Sequence, residues 1–338
     1  LVAASLAVHR GRSTLLLEEE GPDHVFSLPG GYRFDRDPLP WSGLDPDGVF
    51  AAFLKEMDID CFRDDRAGPF IQAVLEDRSF DLPCTLEDRC REINRDFSVP
   101  EEAIRSWYEA LHRNSLFIRG MVPKCLDRNN GTRERAASLL RELKGQALWN
   151  FRGLKDNFRA PEWLELRNVL EAERAIFSRY ADPDEGLSSQ AASYCLSSSL
   201  AGGFRLPPGG KPAVIRALKD KITAGSGMIL SCDTVSEIRI GKSVTVELEQ
   251  GGETSSLPAG RAIVSTRWRG LPSLVEGNPL LSRCFKKFSP RKKQCWPFTL
   301  HLGVSERSLP EMMGEQVIVP LGGSEPPCPT LPFIYLNR

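Results

Sequence analysis

The chain of 338 residues is long enough for two domains, and its 41% hydrophobic and 26% charged residues are the balance of an ordinary globular protein. A formal net charge of −1 gives it no global attraction to nucleic acid or to an anionic membrane. Nine cysteines, odd in number and never in a C-x-x-C pair, argue against a disulfide framework and a zinc site; four scattered histidines argue against a His-based metal centre.

No apolar run reaches the roughly 18–20 residues of a membrane-spanning helix. The apolar opening is interrupted by His9, Arg10 and Arg12, unlike a signal-peptide core, so a cytoplasmic chain is expected. Residues 1–11 predict a helix with Leu1, Ala4, Ser5 and Val8 on one face and Gly11 as its αL cap. Ser13–Leu17 is a near-continuous apolar run, as in a parallel strand buried on both faces, and it ends in Glu18, Glu19 and Glu20. From Gly21 to Gly48 the composition turns to Gly, Pro, Asp and aromatics, which is loop chemistry.

Asp45-Pro46-Asp47 then starts a helix with Val49, Phe50, Phe53, Leu54 and Met57 as its apolar positions. "AGPFIQAVLEDRSFDLP" carries the alternation of strands in a small sheet, and "VPEEAIRSWYEALHRN" is an amphipathic helix with acids at its dipole-favoured end. "TRERAASLLRELKGQALWNF" and "APEWLELRNVLEAERAIFSRYA" predict two more helices. "SSQAASYCLSSSLAGG" predicts a helix that packs closely through small residues. It has neither the G-x-S-x-G elbow nor the His partner of a serine nucleophile.

α/β order returns over residues 205–271: Gly turn, helix (Val214, Leu218 and Ile222 at four-residue spacing), Gly turn, strand, a hairpin around Ile238–Lys242, and a final buried strand Ala262–Ser265. "GGFRLPPGGK" lacks the spacing and the hydroxyl residue of a phosphate loop. The Pro-rich remainder carries strands in "PFTLHLGV", "EQVIVPL" and "PFIYLNR".

A helix followed by a buried strand ending in an acid is the second half of a βαβ dinucleotide unit. In such a unit the acid accepts hydrogen bonds from the adenosine ribose about twenty residues beyond a glycine loop. With that loop placed immediately ahead of Leu1, Glu18 is the first residue past the strand and takes this role, leaving Glu19 and Glu20 as surface charge. The chain thus reads as a piece lacking strand one and the glycine loop, and weak or no cofactor binding is expected of residues 1–338 alone.

Two further motifs join this one. Gly31, Tyr32, Phe34 and Asp35 in "GGYRFD", and "PPGGKPAVIRALKDKITAGSGMILSCDTVSEIRI" with Pro208, Gly209, Gly210, Gly227, Val235 and Ile238, then Ser265 and Thr266, resemble in order the phytoene desaturase-like FAD-dependent oxidoreductases of the amine oxidase superfamily. The resemblance covers residues 1–50 and 200–270 and departs from the family in having no G-G-R after the strand-two acid; Gly30-Gly31-Tyr32 is the nearest echo. It implies an α/β fold: a discontinuous Rossmann-like FAD-binding domain (1–50 and 201–271) with an inserted α+β, helix-rich substrate or cap domain (51–200). Residues 272–338 would supply substrate-domain strands and the start of a C-terminal region.

It also implies FAD as cofactor, with Glu18 on the ribose and the Val235 backbone on adenine. Gly209, Gly210 and Ser265 would lie beside the cofactor, and Gly31–Asp35 towards the flavin. The implied reaction is hydride transfer from an apolar, polyene-type substrate to flavin. A non-catalytic flavoprotein-like scaffold for a lipid or protein partner, and an amine- or porphyrinogen-oxidase-like enzyme, remain open alternatives. Two surfaces sit beside these readings: a basic stretch at 286–293 (Lys286, Lys287, Arg291, Lys292, Lys293) that offers peripheral membrane contact or is a solvated loop, and His112, His301, Trp107, Tyr108, Trp149 and Phe151 as candidates to wall an apolar cavity or simply form core.

Overall fold

A computed structural model describes residues 1–19, 25–27, 29, 31, 33–35, 43–45, 47–59, 71–126, 166, 169–170, 173, 189–200, 210–265, 271–275, 300–311, 313–314, 316–320 and 333–337. In chain order the first elements are α1 (Val2–His9), β1 (Leu15–Glu19), β2 (Val25–Ser27), β3 (Arg33–Asp35), α2 (Val49–Glu56), β4 (Ile71–Val74) and β5 (Ser79–Leu82). Then come α3 (Leu86–Phe97), α4 (Glu101–Leu126), α5 (Ser189–Leu200), α6 (Gly210–Ala224) and β6 (Met228–Cys232). The last are β7 (Thr234–Ile240), β8 (Val244–Gln250), β9 (Glu253–Ala259), α7 (Leu271–Leu274), β10 (Gln316–Pro320) and β11 (Phe333–Asn337). Helix and sheet are mixed, and both parallel and antiparallel pairings occur.

The chain forms two compact units, each discontinuous: residues 1–25 with 212–293, and residues 26–211 with 294–338. The boundaries fall at 25/26, 211/212 and 293/294, where the resemblance implies 50/51, 200/201 and 271/272.

The first unit is built on β1 and β6, paired in parallel from Leu15 opposite Met228 to Glu19 opposite Cys232. Each strand follows a helix, α1 or α6, through a glycine turn. Gly11 closes α1 at φ +70°, where a residue with a Cβ would be strained. The two helices are tied by Ser5, whose buried hydroxyl donates to the Leu218 carbonyl at 2.9 Å. Ser5→Ala is expected to cost about 1 kcal/mol, the net worth of one such bond, read as a lower urea midpoint at unchanged slope.

The turn from α6 to β6 comes close to α1. A Cβ on Gly225 would meet Val8 Cγ1 at 2.1 Å, and one on Gly227 would meet Val8 Cγ2 and Ile222 Cγ2 at 2.7 Å. Val8 and Ile222 line this turn, and both are buried, as are Val214 and Leu218 of α6.

A three-stranded antiparallel sheet, β7-β8-β9, completes the unit. Its apolar face sets Ile238 and Val246 against Val275, with Leu17, Val235, Val244, Leu271 and Leu274 around them. β9 is too polar to announce itself by alternation; its signal is Gly251-Gly252, both at positive φ, the two-residue hairpin link.

Two expectations are corrected in this unit. Leu15–Leu17 is partly exposed rather than covered on both faces, because β1 has one neighbour among the described strands. Ala262–Ser265 is an exposed, non-strand segment rather than a final buried strand. An apolar run becomes a buried strand only where another strand supplies its ladder, and none of the described strands pairs with it.

The second unit carries the sheet β11-β10-β4-β5, in which β10 and β4 are parallel and the outer pairs antiparallel. Ile71, Ala73, Phe80 and Leu82 of the sheet pack on Cys90, Ile93 and Phe97 of α3, Ile104, Trp107, Tyr108 and Leu111 of α4, and Leu166, Val169 and Leu170. Trp107 and Tyr108 are therefore core. Helix α3 was not evident from the sequence. It is capped by the Thr85 hydroxyl, which accepts the Asp88 N–H, and its narrow buried stripe includes a charged residue, Arg89.

Helix α5 is where small residues do something other than pack. Its Ser197, Ser198 and Ser199 face two buried arginines. Arg89 donates to the Pro83 carbonyl at 2.7 Å, Ser199 Oγ at 3.0 Å, and Tyr108 Oη and Glu173 Oε1 at 3.2 Å each. Arg119, on α4, pairs with buried Asp45 and donates to Ser115, Ser197 and Ser198, its guanidinium stacked over the Tyr194 ring at 5.2 Å. Burial works against the Arg89 charge, but Tyr108 and Glu173 outweigh burial and hold the guanidinium above its ordinary range. Burial pushes the Tyr108 phenol up.

"PFTLHLGV" is also corrected: residues 300–304 form no strand, and Leu300, Leu302 and Val304 are exposed. Within this segment His301 stands against the Phe34 ring, centroids 5.0 Å apart. No described helix is long and apolar enough to cross a membrane.

Candidate functional site

The sequence-predicted residues that converge do so at the carboxyl ends of β1 and β6. Parallel strands each preceded by a helix put those ends on one side of the sheet, the side on which open α/β sheets bind ligands. Leu1, at the start of α1, lies within electrostatic reach of Glu18 and Lys219, so the helix begins where the strand ends.

Strand geometry separates the two acids, since successive side chains point to opposite faces. Glu18 turns to α6, where its Oε2 accepts from Lys219 Nζ at 2.7 Å; both side chains keep about a third of their surface, 30% and 38%. Glu19 turns to the start of β7. Its Oε1 accepts the Val235 N–H at 3.1 Å and the Thr234 hydroxyl at 3.4 Å. Glu19, expected as surface charge, is exposed yet accepts both bonds, a contact that the sequence reading missed.

The Val235 N–H is available to it for a structural reason. β7 is the edge of its sheet, and the β7–β8 register slips between Val235 and Glu237, a bulge that leaves the ladder locally broken. Around this point Asp233 N–H donates to the Glu249 carbonyl, the Gly251 N–H donates to Asp233 Oδ2 at 2.8 Å, and the Cys232 thiol lies 3.7 Å from the Glu18 carbonyl. Cys232, with Cys90 and Cys195, is a buried thiol, as expected of small apolar side chains.

The other predicted positions do not join this group. Gly31 is exposed in the turn before β3, at φ +83°, and belongs to the second unit. Gly210 is the first residue of α6, at φ +68°. Ser265 is exposed at the end of the non-strand segment. Pro208, Gly209, Tyr32, Thr266, Trp149, Phe151 and the basic stretch 286–293 lie outside the described residues. His112 is exposed on α4.

The carboxyl ends gather two carboxylates, an edge N–H and a hydroxyl. Adenosine offers a vicinal diol that donates to a carboxylate and a purine ring whose nitrogens accept from a backbone N–H. Here Glu18 is the acceptor, held by Lys219, and the Val235 N–H and the Thr234 hydroxyl are the donors, both given to Glu19. No protein-family model and no curated protein matches the chain.

Proposed function

We propose that the protein is an FAD-dependent oxidoreductase resembling the phytoene desaturase-like enzymes, with the first unit holding the adenosine end of the cofactor. The observation that carries this reading is the parallel pairing of β1 with β6, each after its own helix, with an acid pair and an edge amide gathered at the carboxyl ends. A two-strand parallel core flanked by an antiparallel three-strand meander is a sensible platform for a nucleotide, because the carboxyl ends of its strands lie on one side.

In this reading Glu18 accepts from the ribose hydroxyls while Lys219 fixes its carboxylate, and the Val235 backbone meets adenine. Phe34 and His301 present aromatic surface of the kind that an apolar substrate contacts. Bound flavin would supply a hydride acceptor for an apolar, polyene-type substrate; the protein's part is orientation and exclusion of water.

A second reading, a scaffold of the same fold that binds a lipid or a partner without turnover, is favoured by one feature: no G-G-R follows the strand-two acid. Titration of the full-length protein with FAD to saturation separates the two. The expected result is a difference spectrum of flavin moved out of water, bleached anaerobically when a polyene substrate is added. A flavin spectrum that stays that of the free cofactor at every concentration overturns the oxidoreductase reading.

A further inference from the structure

We propose that Glu19 is a built-in competitor of the nucleotide: its carboxylate holds the same Val235 N–H that an adenine ring would take, so the adenosine site is occupied by the protein itself until a ligand displaces it. The inference rests on the reading that the carboxyl ends of β1 and β6 take adenosine.

Three observations carry it. The first is the contact: one carboxylate oxygen collects two donors, Val235 N–H at 3.1 Å and Thr234 Oγ1 at 3.4 Å. The second is the origin of those donors. An edge strand with a bulge leaves an N–H outside the ladder, and a backbone N–H needs a partner of some kind. The third is the division of labour forced by the strand. Glu18 is committed to Lys219 on the α6 side and cannot reach the β7 side, so Glu19 alone can mimic an acceptor on the ligand.

The contact is solvent-exposed, so it is weak enough to be exchanged. A ligand's affinity for a site that is open only part of the time is reduced by the open fraction. A charge-assisted bond to an amide keeps that fraction at about one tenth, which corresponds to a tenfold weaker apparent affinity and, converted, to about 1.4 kcal/mol.

The test uses the whole chain, labelled with ¹⁵N, and adenosine diphosphate as the probe, with the Val235 amide resonance as readout. Wild type, Glu19→Ala and Glu19→Gln are titrated side by side. Glu19→Ala is expected to shift the Val235 amide before any ligand is added and to tighten binding about tenfold. Glu19→Gln keeps a neutral acceptor and is expected between the two. Equal or weaker binding by Glu19→Ala, with the probe still moving Val235, overturns the competitor role and leaves the adenosine reading standing. A probe that moves no resonance at the ends of β1 and β7 in any of the three proteins overturns the adenosine reading, and the competitor role with it.

Discussion

Arg89→Met is expected to destabilise the protein by about 3–5 kcal/mol, the usual result of removing one member of a buried ion pair. The size follows from what remains. Methionine keeps most of the volume, so little of the loss is cavity. Glu173 is left fully buried, with Oε1 stripped of its cation and Oε2 already without a hydrogen-bond partner. Tyr108 and Ser199 lose the same donor.

Removing both charges has a different sign. Arg89→Met combined with Glu173→Leu deletes the two ions that had to be desolvated, and most of the stability is expected to return. Urea unfolding followed by far-ultraviolet circular dichroism reads both results. A double variant as unstable as Arg89→Met would mean that Arg89 acts through its bonds to the Leu82 and Pro83 carbonyls, not through the ion pair.

That cluster explains why the second unit was less legible than the first. In the first unit, α1, α6 and β6 follow from local signals: four-residue apolar spacing, glycine turns and a short apolar run. In the second unit Arg89 meets Glu173 and Ser199 across 84 and 110 residues, and Arg119 meets Asp45 across 74. No local pattern encodes such pairings. Read locally, the serines of α5 are small packing residues and α3 is a charged segment with too narrow an apolar stripe.

The site was half legible for a similar reason. The rule that selects the first acid past a strand depends on where the strand ends, and β1 runs on through Glu19. Alternation then decides which acid faces which neighbour, and the neighbours, Lys219 and Val235, lie more than 200 residues away. Ala262–Ser265 fails in the opposite direction. Its composition is that of a strand, but a strand also needs a partner, and composition does not carry that information.

The second large effect tests the seam that sets this geometry. Gly225→Ala is expected to cost about 1–3 kcal/mol through overpacking, because its Cβ lands 2.1 Å from Val8 Cγ1. Val8→Ala alone opens a cavity and is expected to cost on the order of 2 kcal/mol. Together the two changes should cost clearly less than their sum, by roughly 0.5–3 kcal/mol, because the added methyl fills space vacated by the valine.

Gly227→Ala is the contrasting case. Its Cβ would also lie 2.9 Å from the Ile222 carbonyl oxygen, which is backbone and cannot be trimmed, so Val8→Ala is expected to give little relief. The turn matters to the site because the next residue makes the first rung of the parallel pair, Met228 N–H to the Thr14 carbonyl at 3.0 Å. That rung fixes Glu19 opposite Cys232, three residues before Val235. Displacing the turn should therefore move the Val235 amide resonance in Gly227→Ala, although the substitution is at the other end of β6. An unchanged Val235 resonance in a folded Gly227→Ala variant would mean that the meander, and not the α6–β6 turn, sets the position of the edge amide.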